Sequence, residues 1–150
     1  MTLRERRHPA VAPLAAWKLA SAAFAGGVLG SLARGAAEIA FAALGLPAWL
    51  SRIAVNVLGA FLIGGLFARI AVRDDDGAPA GIPHVHRMRE HLLGAGFLGG
   101  FTTVSGMAWD VADGLSAADL AAVFTVLVAN AVVGLAACAS GFAVAARRAN

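Results

Sequence analysis

Residues 94–106 read Gly-Ala-Gly-Phe-Leu-Gly-Gly-Phe-Thr-Thr-Val-Ser-Gly. Five glycines in 13 residues make a poor continuous α-helix. The pair Gly99-Gly100, followed by Thr102-Thr103, predicts a broken helix. A break frees backbone carbonyls and amides, and in lipid these must be buried or must bind something. Broken helices near the bilayer midplane are a recurrent way to build ion sites. The competing reading is close helix packing through Gly96-x-x-x-Gly100, with the threonines bonded back to their own helix.

Two asparagines raise the same choice. Asn56 and Asn130 each sit inside an apolar stretch, where polar groups are costly and need a partner or a task. An asparagine amide offers two N–H donors, which an anion can accept or a neighbouring helix can use as glue. Arg52, Asn56, Ala60 and Gly64 are four apart and share one small, polar helix face. Arg34 follows a small-residue face at Gly26 and Gly30. It can attract an anion, tie down carbonyls of a broken neighbour, or snorkel to the surface. Thr125, Cys138 and Ser140 are weaker signals, and Cys138 reads as a small packing residue. No catalytic constellation appears: the mid-span serines lack a histidine base, and there is no phosphate loop and no HExxH. The expectation is that the chain is not an enzyme.

The elements that must position these groups follow from composition. The chain has 150 residues, of which 59% are hydrophobic and 14% charged, with a mean hydropathy of +0.75. An average soluble domain carries about 25% charged residues. One cysteine excludes an internal disulfide. The class is therefore a small all-α integral membrane protein with the lipid bilayer as its solvent. Four spans are expected, at about 14–40, 51–70, 92–111 and 118–146, after a basic tail at 1–13 and around a polar loop at 73–91. The second span has only 16 uncharged residues between Arg52 and Arg69, about 24 Å of helix at about 1.5 Å per residue. It crosses if its flanking arginines snorkel. The shorter connections read as Leu44 to Ser51 and Asp113 to Asp119, with Leu46-Pro47 as a helix stop and Ser116-x-x-Asp119 as a helix start. His84-x-His86 in the polar loop is either a metal pair or part of a solvated loop.

The basic residues flank apolar runs instead of forming a stripe with aromatics, so nucleic acid is not an expected partner. With four spans, ten of the 12 lysines and arginines fall on one side of the membrane. Arg52 alone falls on the other, and Arg34 lies within the first span. The positive-inside rule puts both termini in the cytoplasm of a multi-pass plasma (inner) membrane protein.

Four motifs together resemble the Fluc/CrcB fluoride channel family. They are Gly-Gly-x-x-Gly-x-x-x-Arg at 26–34, Asn-x-x-Gly-x-Phe-x-x-Gly at 56–64, Gly-Phe-x-Gly-Gly-Phe-Thr-Thr-x-Ser at 96–105, and a mid-span Asn130. The resemblance covers roughly residues 26–142. It implies a four-span fold with a broken third helix, an antiparallel dimer with two narrow pores, and passive, selective passage of fluoride. It assigns Asn56, Thr103, Ser105, Asn130 and Arg34, which matches the family arginine, to the fluoride path, and puts Asp110 where the family usually has glutamate. It also implies a central structural sodium ion, shared by two subunits and held by the backbone carbonyls of Gly99 and Thr102. The chain departs from the family pattern Thr-Thr-Phe-Ser-Thr-Phe, which here reads Thr102-Thr103-Val104-Ser105-Gly106-Met107. Both phenylalanines are gone. The one-sided basic count fixes a single orientation, so an oppositely oriented homologue is the expected partner, with a second copy as the alternative. Two other classes stay open: a small multidrug-resistance-like proton-coupled exporter, for which Glu38 is the candidate carboxylate, and a non-conducting structural subunit.

Overall fold

The computed structural model describes residues 13–75 and 88–148. The basic tail at 1–12, His84 and His86 fall outside the described residues. Among the described residues, four helical segments are long and apolar enough to cross a membrane: Ala16–Ala43, Ala48–Ala71, Met88–Ser116 and Leu120–Arg147. We name the helices α1 (Pro13–Ala43), α2 (Ala48–Asp75), α3 (His91–Leu98, continued through Gly99–Phe101), α4 (Val104–Ser116) and α5 (Leu120–Val128, Ala129–Val133 and Gly134–Arg147). The third span is α3 plus α4.

Local sequence explains the turns. Gly45 adopts φ +71° at the end of α1, where the Leu46 N–H reaches the Phe41 carbonyl and the Gly45 N–H the Ala42 carbonyl. That pair of bonds closes the helix end in a left-handed cap, and Pro47 prevents continuation. At the other short connection, Asp119 Oδ1 accepts the Ala122 N–H at 2.9 Å and caps α5. Ser116 is not part of that cap. It is the last residue of α4 and donates to the Ala112 carbonyl at 2.8 Å.

Two glycine seams hold the helices together. Along the first, α1 meets α3 through Gly26, Gly30, Gly96 and Gly100, where an added Cβ would strike the backbone of the facing helix. Along the second, α2 meets α5: a Cβ on Gly64 would strike the Cys138 carbonyl, and one on Gly141 the Phe61 carbonyl. Lipid supplies no hydrophobic drive for helix association, so close backbone approach and dispersion must supply it. Glycine at these positions is what permits the approach. The large side chains correspondingly turn outward: Phe24, Leu32, Trp109, Phe124 and Leu135 are all exposed, as lipid-facing residues should be. The buried apolar set is small, namely Val55, Ala68, Leu98, Phe101 and Val126.

The third span is broken, but not at its glycine pair. Gly99 is helical at φ −65°, ψ −36°. The chain leaves the helix at Thr102 (φ −81°, ψ 156°) and Thr103 (φ −145°, ψ 112°), then re-forms one at Val104. The bend across the span is only 14°. Packing explains the placement. Gly100 abuts the Gly27 carbonyl of α1 and is held in register there, whereas the Thr103 backbone finds a side-chain partner in Asn56. The Leu98 carbonyl accepts both the Thr102 N–H at 3.0 Å and the Thr102 hydroxyl at 2.9 Å, which ends α3 cleanly.

Candidate functional site

The break is held open by one side chain. Asn56, on α2, accepts the Thr103 N–H on Oδ1 at 2.8 Å and donates Nδ2–H to the Thr103 carbonyl at 3.2 Å. Its amide therefore pairs with Thr103 as a neighbouring β-strand would, replacing the helical bonds that Thr103 gives up. The second Nδ2–H of Asn56 goes to Asn130 Oδ1 at 2.7 Å. Asn130 lies in a widened π-type turn of α5 and donates to the Val126 carbonyl at 2.8 Å, which leaves its other N–H available. Two residues 74 apart thus meet in one amide cluster.

The start of α4 completes the cluster. Thr103 is buried, and its hydroxyl oxygen caps the helix by accepting the Gly106 N–H at 2.9 Å. The same oxygen lies 3.2 Å from the Ser105 hydroxyl, so the two hydroxyls form a chain. The N–H groups of Val104 and Ser105 have no acceptor within their own helix. An open groove of about 400 Å³ runs past these groups, lined by Asn56, Gly59, Thr103, Val104, Met107 and Asn130 among others. No carboxylate lines it. Neutral amides, a hydroxyl pair and the positive end of a helix dipole present N–H and O–H donors here, the kind of group an anion accepts.

Arg34 is not in that groove. It lies on the α1 side of the break, with Nη1 on Glu38 Oε1 at 3.1 Å and Nε pointing to the Gly100 carbonyl at 3.5 Å. The Ser31 hydroxyl also reaches that carbonyl, at 3.4 Å. Of the readings open from sequence, carbonyl restraint is the one whose geometry is present.

Gly99 and Thr102 offer their carbonyls for a physical reason. The regular helical donor to the Gly99 carbonyl is the Thr103 N–H, which Asn56 takes. The regular donor to the Thr102 carbonyl is the Gly106 N–H, which the Thr103 hydroxyl takes. Both carbonyls are thereby released by the same rearrangement. A hard monovalent cation favours oxygen donors of this kind. Among the described residues no group of three His, Cys, Asp or Glu side chains could hold a metal.

One structural pair escaped sequence reading. Arg52 grips Asp110 with two bonds: Nε to Oδ2 at 2.8 Å and a second from Nη2 to Oδ1. The carboxylate is nearly buried, with 7% of its side chain exposed. The available signal was that both lie at span ends on the same side of the bilayer. The phenylalanine question resolves in space as well. Val104, 76% exposed, and Met107 both line the groove. Phe97 and Phe101 stack on each other at 5.8 Å and lie outside it.

Comparison with known proteins agrees with this architecture. Residues 21–142 match the family described as CrcB-like protein, Camphor Resistance (CrcB). Fluoride-specific ion channel FluC 2 of Thermobifida fusca is 34% identical over 119 residues, covering 79% of this chain and 82% of that protein. Fluoride-specific ion channel FluC of Stutzerimonas stutzeri is 34% identical over 132 residues, covering 85% and 97%. Fluoride-specific ion channel FluC 1 of Mycolicibacterium paratuberculosis is 43% identical over 90 residues, covering 58% and 59%.

Proposed function

The chain belongs to the CrcB-like family, and from that membership we propose that it is one subunit of a passive fluoride channel of the plasma membrane. The observation that carries the reading is the Asn56–Asn130–Thr103 cluster at the start of α4. Fluoride is small and strongly hydrated, so a pore must replace its water with several donors at once. The groove holds such donors without a fixed charge that would trap the ion. The Asn56 N–H now given to Asn130 Oδ1 is the one a fluoride would accept. As Asn130 turns, its own amide N–H joins, and the Thr103 and Ser105 hydroxyls continue the path.

The electropositive edges of aromatic rings can add further donors. Val104 and Met107 supply none. A partner whose corresponding residues are phenylalanines would build the second, better-lined path. Orientation supports such a partner. Only one basic residue, Arg52, falls on the outer side against ten on the inner. The chain then inserts one way, with both termini cytoplasmic, and an antiparallel dimer needs a second, oppositely inserted homologue. Known relatives numbered FluC 1 and FluC 2 support a two-chain arrangement. A sodium ion between the subunits would be held by Gly99 and Thr102 carbonyls from each chain. It would supply charge that offsets four converging carbonyl dipoles.

Fluoride efflux from liposomes tests this reading. The expected result is efflux when the chain is reconstituted with the oppositely oriented homologue and little from the chain alone. Efflux from the chain alone would overturn the two-chain arrangement. Silence in both would favour a non-conducting subunit, the reading that Val104 and Met107 in the groove wall support. Proton exchange is not supported, because Glu38 is held by Arg34 across the break from the groove.

A further inference from the structure

A second cavity lies away from the amide cluster, between α2, α3 and α5. It has a volume of about 340 Å³. Phe61, Leu62, Leu66, Leu93, Phe97 and Val144 form its apolar walls. Arg69 and Arg148 also line it. The seam between α2 and α5 places both arginines at one end. Gly141 abuts Phe61, Ala145 Cβ is the neighbour of Gly65, and Arg69 and Arg148 each lie about one turn further on. The two helices thus run in the same direction, and both arginines emerge on the side that carries the other basic residues. Leu66 meets Gly94 near the start of α3, which closes the third wall.

Neither arginine pairs with a carboxylate among the described residues; the ion pairs there are Arg34–Glu38 and Arg52–Asp110. Both are exposed. An apolar slot at membrane depth ending in two guanidinium groups has a shape and a charge that match one class of molecule. We propose that this groove is a binding site for an anionic phospholipid, with an acyl chain between α2, α3 and α5 and the headgroup phosphate on Arg69 and Arg148. Guanidinium groups recognise phosphate through two parallel N–H donors, and basic pockets between spanning helices select acidic lipids on the cytoplasmic side. The proposal does not depend on what the channel conducts.

The test uses the full-length protein in detergent, delipidated and then titrated with phosphatidylglycerol, phosphatidylcholine or inorganic phosphate. Native mass spectrometry reads bound lipid and oligomeric state together. The expected result is preferential binding of phosphatidylglycerol over phosphatidylcholine, by about 30-fold from two interfacial arginines. The double variant Arg69→Gln, Arg148→Gln should bind the two lipids equally. Leu93→Trp, which fills the slot and keeps both arginines, should weaken both lipids. Arg147→Gln, outside the groove, should leave the preference intact. Equal binding of the two lipids by the natural chain would overturn the proposal. So would an unchanged preference in the double variant, or undiminished binding of both lipids by Leu93→Trp. Saturation by inorganic phosphate alone would make it a free-anion site instead. Loss of lipid coupled to dimer dissociation would make it a subunit contact.

Discussion

On the α1 side of the broken span, a guanidinium is held by a carboxylate at 3.1 Å and reaches toward the Gly100 carbonyl. On the α2 side, two carboxamides and two hydroxyls surround the freed groups, without a formal charge. The two sides share a backbone and differ in what they must do. Charge serves restraint on the α1 side, where Arg34 is held locally by a residue one turn away. Neutral donors serve the groove, where a fixed cation would bind an anion too tightly to release it. A channel needs binding that is favourable enough to admit the ion and weak enough to let it leave.

The contrast extends to the two ion pairs and can be broken by substitution. The largest effect is expected at Arg52→Gln. This leaves the nearly buried Asp110 unpaired, a loss of about 3–5 kcal/mol. Arg34→Gln breaks an i,i+4 pair whose side chains are about a third exposed, which is worth only about 0.3–0.5 kcal/mol. Thermal unfolding of the purified protein should separate the two variants clearly, and similar midpoints would erase the distinction.

Packing gives the next effect. Gly30→Val forces a side chain into the Phe97 carbonyl across the α1–α3 seam, at a cost of about 1–3 kcal/mol. Gly35 lies one turn further along α1, with nothing within 4 Å of an added Cβ, so Gly35→Ala should be neutral or slightly stabilising. Monodisperse recovery from detergent, compared between the two, reads the difference. The smallest effect belongs to the Thr103–Ser105 hydroxyl pair. Ser105→Ala removes one hydroxyl donor worth about 0.5–1.5 kcal/mol, which should slow efflux by about two- to tenfold and leave folding untouched.

Much of this was legible in the sequence, and the limits have physical causes. Hydropathy located four spans because the bilayer demands long apolar runs. Glycines at 26, 30, 96 and 100 announced close packing, and that packing is present together with the break, though the two had stood as competing readings. Asn56 and Asn130 stood out because amides are expensive in lipid, but nothing in their spacing said that they bond to each other. The break fell at Thr102-Thr103 because Asn56 rewards extended backbone there, while neighbouring glycines are fixed by α1. Such a decision is made by tertiary contact, beyond the reach of local propensity. Arg52 read as a lone outer cation because its partner is 58 residues away.

Asn56 is the residue on which the account turns, since it both opens the break and faces the groove. Asn56→Asp keeps the size and the Oδ1 acceptor for the Thr103 N–H, but removes both donors and adds negative charge. Fluoride efflux should be measured from liposomes holding this variant with the homologue that supports efflux by the natural chain, after confirming that the pair still assembles. One lost donor to the ion, at about 1.5–3 kcal/mol, predicts a fall of at least about tenfold. Undiminished efflux through this chain's path, read in a pair whose other path is blocked, would contradict the central claim.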